Sequence, residues 1–215
     1  TSKVWVTRDK KSGIMAAYNS GAKIVILDDG FQNSSVFKDL SLLIIDTDFG
    51  FGNEHIFPLG TLRESLDFAM IRADLLLCLG KYDSRKYFLK KTRIPANILL
   101  TEGQLEPKAF QSHLGKRKLI AFCGIARPEK FFQTLKNLNL NVIEKIPYPD
   151  HFLYSKNDLE NLRKKGKQAN ALLVTTEKDI VKIPEDLKRE FYSLPVEVKL
   201  TDSSVLENKL KTLVF

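Results

Sequence analysis

The chain alternates between short apolar runs and polar stretches, at spacings that predict a βα succession. Lys23–Leu27 supplies a run, Ile24–Leu27, that stops at two adjacent acids, Asp28 and Asp29, and then Gly30. It predicts a short buried strand with an acidic end, and the rest of the chain is read around it. Val4–Thr7 predicts a strand before it, and 8–18 a helix closed near Gly21, which suits a left-handed C-terminal position. Leu40–Asp46 predicts a further buried strand, Arg63–Ile71 a helix opened by Arg63-Glu64, Leu75–Leu79 a strand and Tyr82–Lys91 a basic helix. Pro95–Gly103 reads as extended. Strand, helix, strand in this order points to a mostly parallel sheet.

A second series begins after the polar stretch 101–118, where helical character is conceivable over Pro107–His113. Leu119–Cys123 predicts a strand, and Pro128 is suited to the first turn of a helix whose apolar face is Phe131, Phe132, Leu135 and Leu138. Asn141–Ile146 predicts the next strand, and Ser155 is a good N-cap for a helix reaching about Lys165. Leu172–Thr175 predicts a buried strand, Thr176-Glu-Lys-Asp179 a capped helix start, Phe191–Val198 a strand and Ser204–Leu213 a terminal helix. The expected organisation is a first α/β unit over 1–105, a linker over 106–118 and a smaller α/β unit over 119–215.

Composition narrows the class. The 215 residues are 43% hydrophobic and 28% charged, ordinary for a folded soluble protein. No apolar run approaches the roughly 18 residues that a membrane span needs. Cys78 and Cys123 both lie in apolar runs and read as reduced core residues of a cytosolic protein. Three histidines and two cysteines without ligand spacing argue against zinc. The net charge of +8 favours anionic partners, or it is a solvated basic surface. No nucleic-acid recognition motif accompanies it, so nucleic acid is not an expected partner.

The candidate chemistry lies at punctuation points. Asp28 and Asp29 either form an Asp-Gly turn or supply oxygen ligands to a magnesium ion on nucleotide phosphates. Asp46 ends another run and reads as a strand terminator. Asp150-His151, between Pro149 and Phe152, is either a carboxylate-assisted proton acceptor or a loop histidine without a task. Arg63-Glu64 lies at a helix start, where the arginine could hold a phosphate, whereas residue type alone favours an ordinary surface ion pair. His55 and His113 lie in polar loop contexts and carry no assigned role. The long connection 47–62 is rich in Gly and Phe, and its aromatic content argues against disorder. No Gly-x-x-x-x-Gly-Lys-[Ser/Thr] and no dinucleotide glycine fingerprint occurs.

Taken in order, DDGFQ, FGN…PLGTLRES, FCGIARPEKFF, PDHF and TTEKD…K resemble the tetraacyldisaccharide 4'-kinases (the lipid A 4'-kinases) over nearly the whole chain. The resemblance implies a P-loop-type kinase fold. It also implies transfer of the ATP γ-phosphate, with Mg2+, to the 4'-hydroxyl of a tetraacylated disaccharide 1-phosphate lipid. Such enzymes work peripherally at the cytoplasmic face of the inner membrane. By motif, Asp28 and Asp29 match the acids that support Mg-ATP, and Arg63 and Glu64 a Leu-Arg-Glu motif near the active site. His151, with Asp150, matches the histidine partner of a catalytic aspartate. Thr176–Asp179 match a Thr-Glu-Lys-Asp motif, for which helix capping is the preferred role.

The departures set a further expectation. The family's membrane-associating helix, P-loop and catalytic aspartate precede the DDG strand, whereas about two dozen residues without them precede it here. Asn33 stands where the family often has His after Gly-Phe-Gln. The chain thus resembles the C-terminal two-thirds of such a kinase, with a missing or separate N-terminal segment and little turnover expected alone. The alternative is a non-catalytic remnant or split subunit that binds a nucleotide or a lipid headgroup.

Overall fold

The computed structural model describes residues 2–108 and 117–214. Two compact units result, Thr1–Gln104 with Lys199–Phe215, and Leu105–Val198. The C-terminal residues, expected with the second unit, therefore belong to the first. The predicted helical character over Pro107–His113, and His113 itself, fall mainly within 109–116, outside the described residues.

The first unit holds α1 (Lys10–Asn19), β1 (Leu42–Asp46), α2 (Leu66–Arg72), β2 (Leu75–Leu79), α3 (Tyr82–Lys91) and the larger part of β3 (Leu99–Pro107). Strands β1, β2 and β3 are parallel, with Leu42 opposite Leu75 and Leu75 opposite Leu99. Strand β2 sits between the other two, so both faces of Leu-Leu-Leu-Cys-Leu are covered and its residues are buried or nearly so. Leu76 and Cys78 pack with Ile45, Met70, Ala73, Phe88 and Ile98 in one core.

Two predicted strands do not form. Residues 4–7 and 24–27 join no sheet, and Val6 and Ile26 are 95% and 90% exposed. A β-strand is held by ladder hydrogen bonds to a neighbour, and the ladder of β1 runs to β2 alone among the described residues. The Asp28-Asp29-Gly30 segment is consequently a turn rather than the end of a buried strand. Helix α2 also starts later than predicted. Its N-cap is Ser65, whose hydroxyl accepts the Phe68 N–H, so Arg63 and Glu64 precede the helix.

The second unit holds β4 (Lys118–Cys123), α4 (Pro128–Asn137), β5 (Val142–Pro147), α5 (Lys156–Ala169), β6 (Ala171–Thr176), α6 (Glu177–Ile180) and β7 (Phe191–Leu194). Its sheet is parallel throughout, in the order β5-β4-β6-β7. Alternation along β4 feeds two cores. Leu119, Ala121 and Cys123 face Phe131, Phe132 and Leu135 of α4, while Ile120 and Phe122 face Leu159 and Leu162 of α5. Pro128 opens α4 as expected. Ser155 caps α5 reciprocally with Asp158, and Asn170 ends it at φ +47°.

The predicted strand Phe191–Val198 is two strands. Pro195 donates no hydrogen bond and separates β7 from β8 (Val196–Leu200), which lies beside β3. Flanking bonds from Thr201 N to Glu102 O and from Lys108 N to Pro195 O run in opposite order, making β8 antiparallel to β3. Helix α7 (Ser204–Val214) follows. The molecule is thus of the expected class, α/β with two mostly parallel sheets of P-loop-kinase type.

Candidate functional site

The first unit brings the DDGFQ and LRES motifs together. Asp29 adopts φ +50°, the left-handed region that Asp tolerates better than most side chains. One guanidinium nitrogen of Arg63 donates to both of its carboxylate oxygens, at 2.7 and 2.9 Å. Both side chains remain about two-thirds exposed, at 63% for Arg63 and 68% for Asp29, so the pair lies at the surface. Asp28 beside it is exposed, and Gly30 is buried. A Cβ on Gly30 would lie 2.5 Å from the Leu27 Cβ, so the turn admits no larger residue without shifting.

A second pair supports the first. Gln32 donates to Glu64 at 3.1 Å, and Arg72 forms an ion pair with the other oxygen of Glu64. Arg72 also donates to the Phe31 carbonyl at 3.2 Å, and its guanidinium lies 4.8 and 4.7 Å from the Phe31 and Phe68 ring centres. The last turn of α2 therefore ties down both the DDGFQ turn and Glu64. Neither Arg72 nor Gln32 was singled out from the sequence. Their signal was spacing: Arg72 lies one helix length beyond Glu64, where only the fold shows that it turns back.

Asp28 and Asp29 offer the hard oxygen donors that magnesium prefers. Among the described residues no group of three or more His, Cys, Asp or Glu side chains is arranged to hold a metal. These acids thus fit a magnesium ion only as two of its ligands, the remainder being phosphate or water oxygens. Asp46 lies at the end of β1, as its strand-terminator reading expects.

The other predicted pair lies in the second unit. His151 has φ +58° and a 92% exposed side chain, and its Nε2 is 3.8 Å from Asp150 Oδ2, beyond hydrogen-bond range. Its backbone is better held than its ring. The His151 N–H donates to Asp150 Oδ1 at 3.0 Å and to the Gly124 carbonyl at 3.2 Å.

Below this loop lies a buried charge that motif spacing did not reveal as more than a cap. Asp179 is fully buried and receives the Gly124 N–H at 3.0 Å, the Thr176 hydroxyl at 2.7 Å and the Lys182 ammonium at 2.8 Å. Burial alone would raise its pKa. The donated hydrogen bonds from Lys182, Thr176 and Gly124 outweigh that and hold it below the usual carboxylate value. The hydroxyl of nearby Tyr154 is buried without a hydrogen-bond partner among the described residues, and burial, then the Asp179 charge, push its pKa up. Thr176 caps α6 as expected, accepting the Asp179 N–H at 3.1 Å. These groups sit past the carboxyl ends of β4 and β6, where the order β5-β4-β6-β7 reverses direction. Such a switch point is where open α/β sheets place functional loops.

Two α/β units built on mostly parallel sheets define a protein of the P-loop-kinase class in architecture. A family model described as "Tetraacyldisaccharide-1-P 4'-kinase" matches residues 1–214, and the chain belongs to that family. Similar proteins named tetraacyldisaccharide 4'-kinase include one from Rhodospirillum centenum, 38% identical over 211 residues, covering 98% of this chain and 61% of the relative. Another, from Paramagnetospirillum magneticum, is 39% identical over 202 residues, covering 94% and 61%. The Rhodospirillum rubrum protein is 35% identical over 210 residues, covering 98% and 63%. The chain thus spans about three-fifths of the length of these relatives.

Proposed function

We propose that this chain carries the magnesium–nucleotide edge of a lipid kinase. In the proposed reaction the γ-phosphate of ATP passes to the 4'-hydroxyl of a tetraacyldisaccharide 1-phosphate, during lipid A biosynthesis. The observation that carries the reading is the convergence of Asp29 with Arg63 and of Gln32 with Glu64, which joins two motifs into one surface. Membership of the family and the names of the relatives support the substrate class.

In this reading Asp28 and Asp29 would hold magnesium, whose charge would offset that of the phosphates, and Arg63 exchanges Asp29 for phosphate oxygens. Glu64, fixed by Arg72 and Gln32, keeps the Arg63 segment in place. His151, with Asp150, manages the proton of the sugar hydroxyl. A basic chain of net charge +8 suits an anionic lipid at the cytoplasmic face of the inner membrane, met peripherally. Among the described residues no helix is long and apolar enough to cross a membrane.

Titration calorimetry with ATP, with and without Mg2+, tests the edge. Magnesium-dependent binding that weakens roughly tenfold or more in Asp28→Asn and Asp29→Asn is expected, given the strength of charged contacts. Equal binding with and without the ion would remove the metal role from these acids.

A further inference from the structure

In the second unit a single peptide unit on each side of Gly124 links a buried charge to the candidate histidine. The Gly124 N–H donates to Asp179 Oδ2 at 3.0 Å, and the Gly124 carbonyl accepts the His151 N–H at 3.2 Å. Lys182 bonds the other oxygen of Asp179 at 2.8 Å and reaches the Gly124 carbonyl at 3.5 Å. Capping of α6 needs only the Thr176 hydroxyl and the backbone N–H of residue 179. In a capping box the third side chain returns to the cap's own backbone. Here the carboxylate points instead to the loop after β4, 55 residues away in sequence.

The histidine depends on that backbone. Its side chain is 92% exposed, with Asp150 3.8 Å away, so the direction of the ring follows from the main chain. That main chain is left-handed, at φ +58°, a conformation few non-glycine residues hold without support. The loops are also in close contact. A Cβ on Gly124 would lie 2.9 Å from the Phe152 Cβ and 3.1 Å from the Pro149 carbonyl.

We propose that Asp179 is a positioning residue for His151, acting through Gly124 and stabilised in its charged form by Lys182 and Thr176. The inference rests on the reading of His151 as the proton-handling group. It assigns the Thr-Glu-Lys-Asp segment a task beyond starting a helix: clamping the β4–α4 loop so that the Pro-Asp-His-Phe turn keeps one conformation.

Amide hydrogen exchange, read by mass spectrometry on the whole chain, tests the clamp without turnover. In Asp179→Ala the peptide covering Tyr148–Tyr154 is expected to exchange about tenfold faster or more, as loss of a charged hydrogen bond predicts, while the β4 peptide is unchanged. Asp179→Asn keeps an acceptor for Gly124 and should fall between wild type and Ala. Unchanged loop exchange, or equal loosening of loop and β4 in both variants, would overturn the proposal. In ATP-dependent phosphorylation of the acylated disaccharide 1-phosphate, assayed together with the N-terminal segment expected to be missing or separate, His151→Ala with Asp179→Asn is expected to lose no more than His151→Ala alone. A loosened loop with turnover unaffected by His151→Ala would overturn the proton-handling reading, leaving the clamp itself supported by exchange.

Discussion

Asp29 and Arg63, 34 residues apart, meet through one guanidinium nitrogen that spans both carboxylate oxygens. The pair holds the acidic turn against the segment before α2, and both members remain open to solvent. Exposure decides what the pair does. An ion pair in water adds little stability, yet the same arginine is free to change partner when an anion arrives.

Arg63→Ala is therefore expected to cost at most about 1 kcal/mol of folding stability, since exposed pairs give no more. ATP affinity should nevertheless fall by about tenfold, from loss of one charged contact. Thermal unfolding and titration calorimetry on the same preparation separate the two effects. A large drop in melting temperature with unchanged affinity would make the arginine structural.

Arg72 should behave in the opposite way. It binds Glu64 and the Phe31 carbonyl and lies over two aromatic rings, so Arg72→Ala removes several contacts at once. A loss of about 1–3 kcal/mol is expected from the charged hydrogen bonds. Arg72→Lys should recover little, because a single ammonium cannot serve the planar fork and both rings together. Denaturant unfolding of the three proteins gives the order.

Acid should weaken the second unit through Asp179. Its folded pKa lies below the ordinary carboxylate value, so its contribution is present above the unfolded pKa of about 4 and disappears as pH falls through the lower folded value. Stability measured downward from about pH 4 should decline more steeply in wild type than in Asp179→Asn. Parallel pH profiles would show that another group dominates.

The two thiols should be silent in the native protein. Burial first, then the Glu102 charge, raises Cys78 to about 11, and burial first, then the Asp179 charge, raises Cys123 to about 12. Since the thiolate is the reacting species, a disulfide reagent at pH 8 should find essentially no thiol until denaturant exposes both. Fast labelling of either would indicate local opening of β2 or β4.

Capping of α5 gives a plain stability test. Ser155→Ala should cost about 1 kcal/mol, and Ser155→Gly less, because glycine leaves the cap backbone open to water. Core truncation should cost more. Leu135→Ala, at a fully buried position facing β4, is expected to lose about 2–5 kcal/mol.

What was legible in the sequence was whatever depends on near neighbours. Leu75–Leu79 and Leu119–Cys123 announce buried strands by unbroken apolar character, and Ser155 and Pro128 mark helix starts by local chemistry. The five ordered motifs were equally visible, and the family followed from them. Ile24–Leu27 is the counter-example. Its residues are as apolar as those of β2, but a strand exists only where a neighbouring strand accepts its hydrogen bonds, and periodicity carries no information about that neighbour. Pro195 similarly divided one apolar run between two sheets. The meetings of Asp29 with Arg63 and of Asp179 with Gly124 were decided by tertiary structure alone. A carboxylate's partner is whichever donor the fold brings within about 3 Å, and across tens of residues only the packing of sheets and helices selects it.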